Sequence, residues 1–88
     1  MNRASLIRLL EVEGVRSGSY SIDRQPQDES LCLEIASGGW IVYYSERRLR
    51  TGECDFETED EACEFMAQEL LASGANRIGY QDPKASNL

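Results

Sequence analysis

The strongest constraint on the fold is a run of alternating apolar residues that doubles back at a pair of glycines. In the segment LCLEIA, Leu31, Leu33 and Ile35 fall on one side of an extended chain and Glu34 on the other. The segment SGG comes next and is followed by WIVYY, whose β-branched and aromatic residues are typical of a strand. Because the connection is short and contains glycine, these segments predict an antiparallel hairpin.

The second strand of this hairpin is apolar on both faces, as expected of a central strand. Trp40, Val42 and Tyr44 share one face, while Ile41 and Tyr43 share the other. Burial in the core explains most aromatic residues at such positions. If the helices cover the Trp40 face, however, Ile41 and Tyr43 lie on an open face that mixes apolar, aromatic and acidic groups. The sequence does not decide which face is covered.

The chain then returns as LRTGECDFE, which predicts a further strand with one packing face and one acidic face. Gly52, Cys54 and Phe56 fall on one side of this strand. The other side carries a row of carboxylates, spaced about 7 Å apart by the rise of a strand over two residues. They are Glu53, Asp55 and Glu57.

Two amphipathic helices are predicted, one before and one after the strands. The first begins at the N-cap Asn2, presents a stripe of leucines and ends at Gly14. The second covers residues 59–73 and opens with a capping box. In that motif the Thr58 hydroxyl accepts from the Glu61 amide, and the Glu61 carboxylate reaches back to the Thr58 amide.

The predicted fold class is therefore α+β, in the order α-β-β-β-β-α. A short edge strand at Tyr20 and Ile22 completes a small antiparallel sheet of three to four strands, with an N-terminal and a C-terminal helix. At 88 residues, the chain is expected to form a single domain over residues 1–80 and a mobile tail over residues 81–88.

Negative charge is concentrated in one part of the chain. Residues 51–76 carry eight of the sixteen carboxylates and no lysine or arginine, whereas the remainder has nine basic and eight acidic residues. The net charge of −7 disfavours direct binding to nucleic acid or a membrane surface and favours a basic protein partner. Two alternatives stay open. Net charge can serve solubility alone, and Glu59, Asp60 and Glu61 are favoured by the helix dipole.

The residue types argue against an enzyme and against a metal or cofactor. There is no histidine, which removes the commonest general base and metal ligand, and no glycine-rich phosphate loop. The acidic run ETEDE opens a helix and lacks the alternating oxygen ligands of a calcium loop. Three cysteines without a CxxC pair, and the lack of a long apolar run, predict a reduced cytoplasmic protein without a signal peptide.

A distinctive order of motifs occupies the middle of the chain, in the run GGWIVYYSERRLRTGECDFETEDEACEFMAQELL. It contains a tryptophan-aromatic strand, an ER turn, a phenylalanine, and an acidic capping segment that leads to an alanine-cysteine pair before the last helix. This order resembles a family of small bacterial immunity proteins, which neutralise polymorphic or contact-dependent toxins delivered by neighbouring cells. The resemblance spans about residues 20–71. It departs from the family at Arg48, where a glycine is expected after the ER turn.

The resemblance implies a protein that binds a cognate toxin domain, and the charge distribution independently favours a basic partner. Many such toxins are nucleases, whose active sites are basic because they hold phosphates. The hypothesis is inhibition by an acidic surface that competes with the substrate, with Tyr43 and Ile41 as a buried anchor. Six carboxylates would supply the charge: Glu53, Asp55, Glu57, Glu59, Asp60 and Glu64.

The alternative from another class is a small acidic regulatory or structural module with no toxin partner. Such a module could form a homodimer that hides the open sheet face against a second copy. A third reading, a carboxylate-dependent enzyme, would require a substrate cleft, which a domain of this size rarely has to spare.

Overall fold

The computed structural model describes residues 1–72 of the chain. Its elements are, in order, α1 (Arg3–Val12), a short 3-10 helix (Ser17–Ser19), β1 (Tyr20–Ile22), β2 (Ser30–Ala36), β3 (Gly39–Glu46), β4 (Leu49–Phe56) and α2 (Glu59–Ala72). The α+β order predicted from the sequence is confirmed. The predicted domain end at residue 80 and the predicted tail at residues 81–88 lie outside the described residues.

The four strands form one mixed sheet in the order β1-β2-β3-β4. β2 and β3 pair antiparallel, with Leu33 opposite Val42, and β4 continues the antiparallel pairing on the far side of β3. β1, however, runs parallel to β2, so the expectation of a wholly antiparallel sheet is wrong at this edge. Parallel pairing is feasible because β1 has only three residues, about 10 Å, and the seven-residue connection 23–29 can return over that distance.

Both helices pack on the same face of the sheet, the face that carries Trp40 and Val42. The core lies between this face and two sets of helix side chains, with Leu6 and Leu10 coming from α1. The set from α2 is Ala62, Cys63, Met66, Ala67 and Leu70. The structure therefore decides the point that the sequence left open, because neither α1 nor α2 packs on the opposite face, with Ile41 and Tyr43.

Local capping fixes where each helix begins. The Asn2 side chain accepts a hydrogen bond from the Ser5 amide at 2.8 Å, which satisfies one of the free N–H groups at the start of α1. Thr58 Oγ1 accepts from the Glu61 amide at 3.2 Å, as predicted. The Glu61 carboxylate, however, accepts from the Thr58 hydroxyl at 3.0 Å instead of from its amide. A hydroxyl can donate one hydrogen bond while accepting another, so the Thr58 hydroxyl bonds both the amide and the carboxylate of Glu61.

β4 does not keep a regular alternation along its whole length. The register between β3 and β4 shifts at Tyr43, which lies opposite both Gly52 and Glu53. Such a two-to-one pairing is a β-bulge, and Gly52 has the positive φ, +62°, that glycine adopts without strain. Because of the extra residue, the side chains of β4 before the bulge lie on the face opposite to the one that a regular strand would give them. As a result, Arg50 lies on the same face of the sheet as Glu53 and Tyr43.

Candidate partner-binding surface

The sheet face opposite α1 and α2 is called the open face. Its side chains are Cys32 and Glu34 from β2, Ile41 and Tyr43 from β3, and Arg50, Glu53 and Asp55 from β4. Access to this face is uneven. Cys32 is only 1% exposed, whereas β4 is exposed over most of its length.

The β1–β2 loop is held against one side of the open face by Gln27. The Gln27 backbone N–H donates to Ser21 Oγ at 3.0 Å, and its carbonyl accepts from Ser30 Oγ at 2.7 Å. Ser21 and Ser30 are both buried, and their hydroxyls lie 3.0 Å apart. Cys32 adjoins this group, with its sulfur 3.4 Å from Ser30 Oγ. The accessible part of the open face is therefore its β3–β4 side.

Tyr43 lies at the centre of the open face, beneath charged side chains. Its hydroxyl donates to Glu34 Oε1 at 2.7 Å, and the Arg50 guanidinium lies 3.9 Å from the centre of its ring. Arg50 also pairs with Glu34 at 3.4 Å and with Glu53 at 3.6 Å. Burial, together with the hydrogen bond to Glu34, raises the pKa of Tyr43 above its ordinary value. Tyr43 is 2% exposed, so the predicted anchor lies inside the protein with Arg50 over it.

Three of the predicted carboxylates, Glu53, Asp55 and Glu57, are exposed at the accessible end of the sheet. Glu53 forms an ion pair with Arg50, whereas Asp55 lies opposite the half-buried Ile41. Asp55 and Glu57 line a shallow hollow where the β2–β3 turn meets the end of β4, and Trp40, Ile41 and Phe56 line the same hollow. This part of the surface combines apolar contact area with two exposed carboxylates.

The other three predicted carboxylates belong to α2, on the opposite side of the sheet from the open face. Glu59 Oε2 accepts from the backbone N–H and from Nε of Arg3, at 2.9 and 3.0 Å. These bonds from Arg3 lower the pKa of the Glu59 carboxyl. Asp60 contacts the amino group of Met1, and Glu64 is exposed. Glu59 and Asp60 therefore join α1 to α2, and the structure does not bring them together with Glu53 and Asp55.

The sequence reasoning missed a group of arginines at the other end of the open face. Arg47 and Arg48 form the β3–β4 turn, and Arg50 follows in β4. Together with Pro26 and Asp28 from the β1–β2 loop, they line a surface groove of about 610 Å³ over Tyr43 and Ser45. The signal that could have indicated this group is the presence of three arginines in the four residues 47–50.

The structure describes residues 1–72. Within that range, no group of three or more Cys, Asp and Glu residues is placed to hold a metal ion. No helix in the same range is long and apolar enough to cross a membrane. No protein family, curated protein or solved structure matches the chain. The surface itself must therefore carry the functional argument.

Proposed function

We propose that this chain is an immunity protein, which binds and neutralises a cognate bacterial toxin domain by contact and not by catalysis. The observation that carries the proposal is the exposed end of the open face, where Asp55 and Glu57 stand beside the apolar side chain of Ile41. The resemblance of the sequence to small bacterial immunity proteins supports the same function. In that setting the protein would act in the cytoplasm of the cell that it protects.

The charge of the surface favours a basic partner such as a nuclease. Nuclease active sites are basic because they hold phosphates, and the whole chain carries a net charge of −7. An acidic surface laid over such a site would compete with the nucleic acid and would speed the encounter electrostatically. Neutralisation by occlusion is therefore the mechanism that we favour.

The shape of the hollow suggests how a partner side chain is held. A lysine or arginine has a long aliphatic stem and a charged end. Its stem can pack on Ile41, while its charged end reaches Asp55, the cross-strand neighbour of Ile41, or Glu57. Ile41 is half-buried and supplies the apolar contact, whereas Tyr43, the other residue predicted as an anchor, is buried.

A second candidate is a small acidic regulatory or structural module that forms a homodimer. One observation favours it, because β4 is an edge strand whose residues are mostly exposed. Antiparallel pairing of two β4 strands would, however, bring the carboxylates of Glu53 and Asp55 towards those of the second copy, which is unfavourable. Measuring the molar mass over a wide range of protein concentration separates the two candidates.

The test uses the C-terminal domain encoded by the gene immediately upstream, co-expressed with this protein. Wild-type protein is expected to rescue growth and to bind the purified domain, with an affinity that falls as salt rises. The decisive variant is D55K/E57K, and its matched control is E11K/E69K, which alters two exposed carboxylates of the helical layer. Each pair raises the net charge from −7 to −3, so a difference between them reports position and not total charge.

We expect D55K/E57K to lower the association rate by roughly tenfold or more, and E11K/E69K to change it much less. Circular dichroism verifies that both variants fold. Equal effects of the two pairs on the association rate would show that Asp55 and Glu57 are not part of the interface. A failure of the wild-type protein to rescue growth or to bind the domain would contradict the immunity function itself.

A further inference from the structure

The β3–β4 turn has an unusual composition for its backbone conformation. Arg47 and Arg48 are its two central residues, and both have positive φ, 50° and 67°. Two-residue hairpin turns of this kind strongly prefer Asn-Gly, because most other side chains are strained in the left-handed region. The chain thus keeps two arginines in a turn where smaller residues would fold more easily. Such strain is often retained where a side chain has a role in binding.

Within the described part of the chain, the guanidinium groups of this turn make no ion pair or hydrogen bond. Within residues 1–72, no carboxylate lies within ion-pair distance of either Arg47 or Arg48, whereas Arg50 pairs with Glu34 and Glu53. Asp28 contributes to the turn in another way, since its carboxylate accepts a hydrogen bond from the Arg47 backbone N–H. The turn is therefore held by its backbone while both arginine side chains are exposed.

The open face consequently has two poles of opposite charge. Arg48 at the turn and Asp55 near the other end of β4 are seven residues apart, or roughly 23 Å along the strand. A partner that covers β4 with a basic surface also meets Arg47 and Arg48 at one end. An acidic group at that end of the partner would satisfy both arginines, since guanidinium groups bind carboxylates through paired hydrogen bonds.

We propose that Arg47 and Arg48 form a second contact of this surface, which binds an aspartate- or glutamate-bearing segment of the same toxin partner. This inference rests on the proposed function. A nucleic acid is the less suitable occupant of the arginine groove, because the protein is negatively charged overall and a long polyanion laid along β4 would also meet Glu53 and Asp55 on the same face. The two poles together would fix the orientation of the partner on the sheet.

The test replaces the turn with the residues that its backbone prefers. The variant R47N/R48G should melt at a higher temperature than the wild type, because Asn-Gly relieves the left-handed strain. The same variant should bind the toxin domain roughly tenfold more weakly or worse, because two charge contacts are lost. The matched control R8Q/R16Q removes two exposed arginines elsewhere and should leave the affinity within about twofold. A 16-base-pair DNA duplex serves as the nucleic-acid probe.

Each result decides the inference. Higher stability with weaker toxin binding supports it, and lower stability would show that the arginines stabilise the turn and would overturn the strain argument. Unchanged toxin binding by R47N/R48G, alongside weakened binding by D55K/E57K, would overturn this inference and leave the proposed function in place. If the duplex bound the wild-type protein but not R47N/R48G, the ligand of the two arginines would be a phosphate backbone and not an acidic segment of the partner. Absence of toxin binding by the wild-type protein would overturn both proposals.

Discussion

Replacing Gly39 with alanine is a sharp test of the sheet geometry beside the candidate surface. Gly39 is the first residue of β3, and a Cβ at this position would lie 2.4 Å from the carbonyl oxygen of Phe56. Real Cβ atoms essentially never approach other atoms closer than 3.0 Å, so the backbone must shift until this Cβ–oxygen distance grows by at least 0.6 Å, the difference of the two distances. The contact is with backbone, so no side chain can rotate away to relieve it.

The expected cost follows from this displacement. Forcing an extra carbon into a well-packed position typically destabilises a protein by about 1–3 kcal/mol. For a domain of this size, each kcal/mol lowers Tm by roughly 4–8 °C, so the Gly39→Ala variant is expected to melt roughly 5–20 °C below the wild type. The loss of stability should be measurable because Trp40 pairs with Phe56 next to the contact and both residues pack against the core.

The assay is a thermal melt followed by far-ultraviolet circular dichroism, with Gly18→Ala as the matched control. Gly18 does not have a positive φ, and nothing lies within 4 Å of the position of its added Cβ. Its substitution is expected to leave Tm unchanged or to raise it slightly, because alanine restricts the unfolded chain. A Gly39→Ala variant whose Tm lies within about 2 °C of the wild type would refute the argument from close backbone approach.

Two further predictions concern the polar contacts on either side of the sheet. Tyr43→Phe removes the hydrogen bond to Glu34 at 2.7 Å and should lower the free energy of unfolding by about 1 kcal/mol. The value is moderate because Glu34 is partly exposed. Urea denaturation measures this change, and an unchanged denaturation midpoint would contradict the prediction. Glu59→Gln should destabilise the protein at pH 7. Since the pKa of Glu59 is lowered by folding, its contribution is present above the ordinary value of 4.5 and is lost as pH falls through the folded value. The stability gap between variant and wild type should therefore narrow below about pH 4.5, and a gap that widens in acid would contradict the role assigned to Arg3.

The acidic segment divides into two groups with different consequences. On the helical side, Glu59 bonds Arg3 and Asp60 contacts the Met1 amino group, so these carboxylates contribute to the packing of α1 against α2. On the open face, Asp55 lies opposite Ile41, and among residues 1–72 no basic group lies within ion-pair distance of it. A single stretch of negative charge in the sequence therefore serves two sides of the sheet.

Much of the fold could be predicted because its signals are local. The alternation of residues 31–36, the glycines of the following turn and the capping residues Asn2 and Thr58 each act within a few residues. They were sufficient to predict the two helices, the central hairpin and the α+β class. The direction of β1 was not predictable in the same way, because apolar alternation marks a strand without specifying which neighbour it pairs with or in which sense.

The candidate surface was predictable only in part. Exposed carboxylates at Glu53, Asp55 and Glu57 were expected from the alternation of a regular strand. The bulge opposite Tyr43 breaks that alternation and turns Arg50 onto the same face. Arg50 then covers Tyr43 and pairs with Glu53, which no pattern of residue types predicted.

The sequence by itself determined the elements, their order, the helix caps and the concentration of acid in residues 51–76, because each depends on neighbouring residues or on composition alone. Only the tertiary structure decided which sheet face the helices cover and where the carboxylates and arginines meet. Those outcomes depend on strand register, and a one-residue shift at the Gly52 bulge moves a side chain from one face of the sheet to the other. The two charged poles of the open face follow from that register.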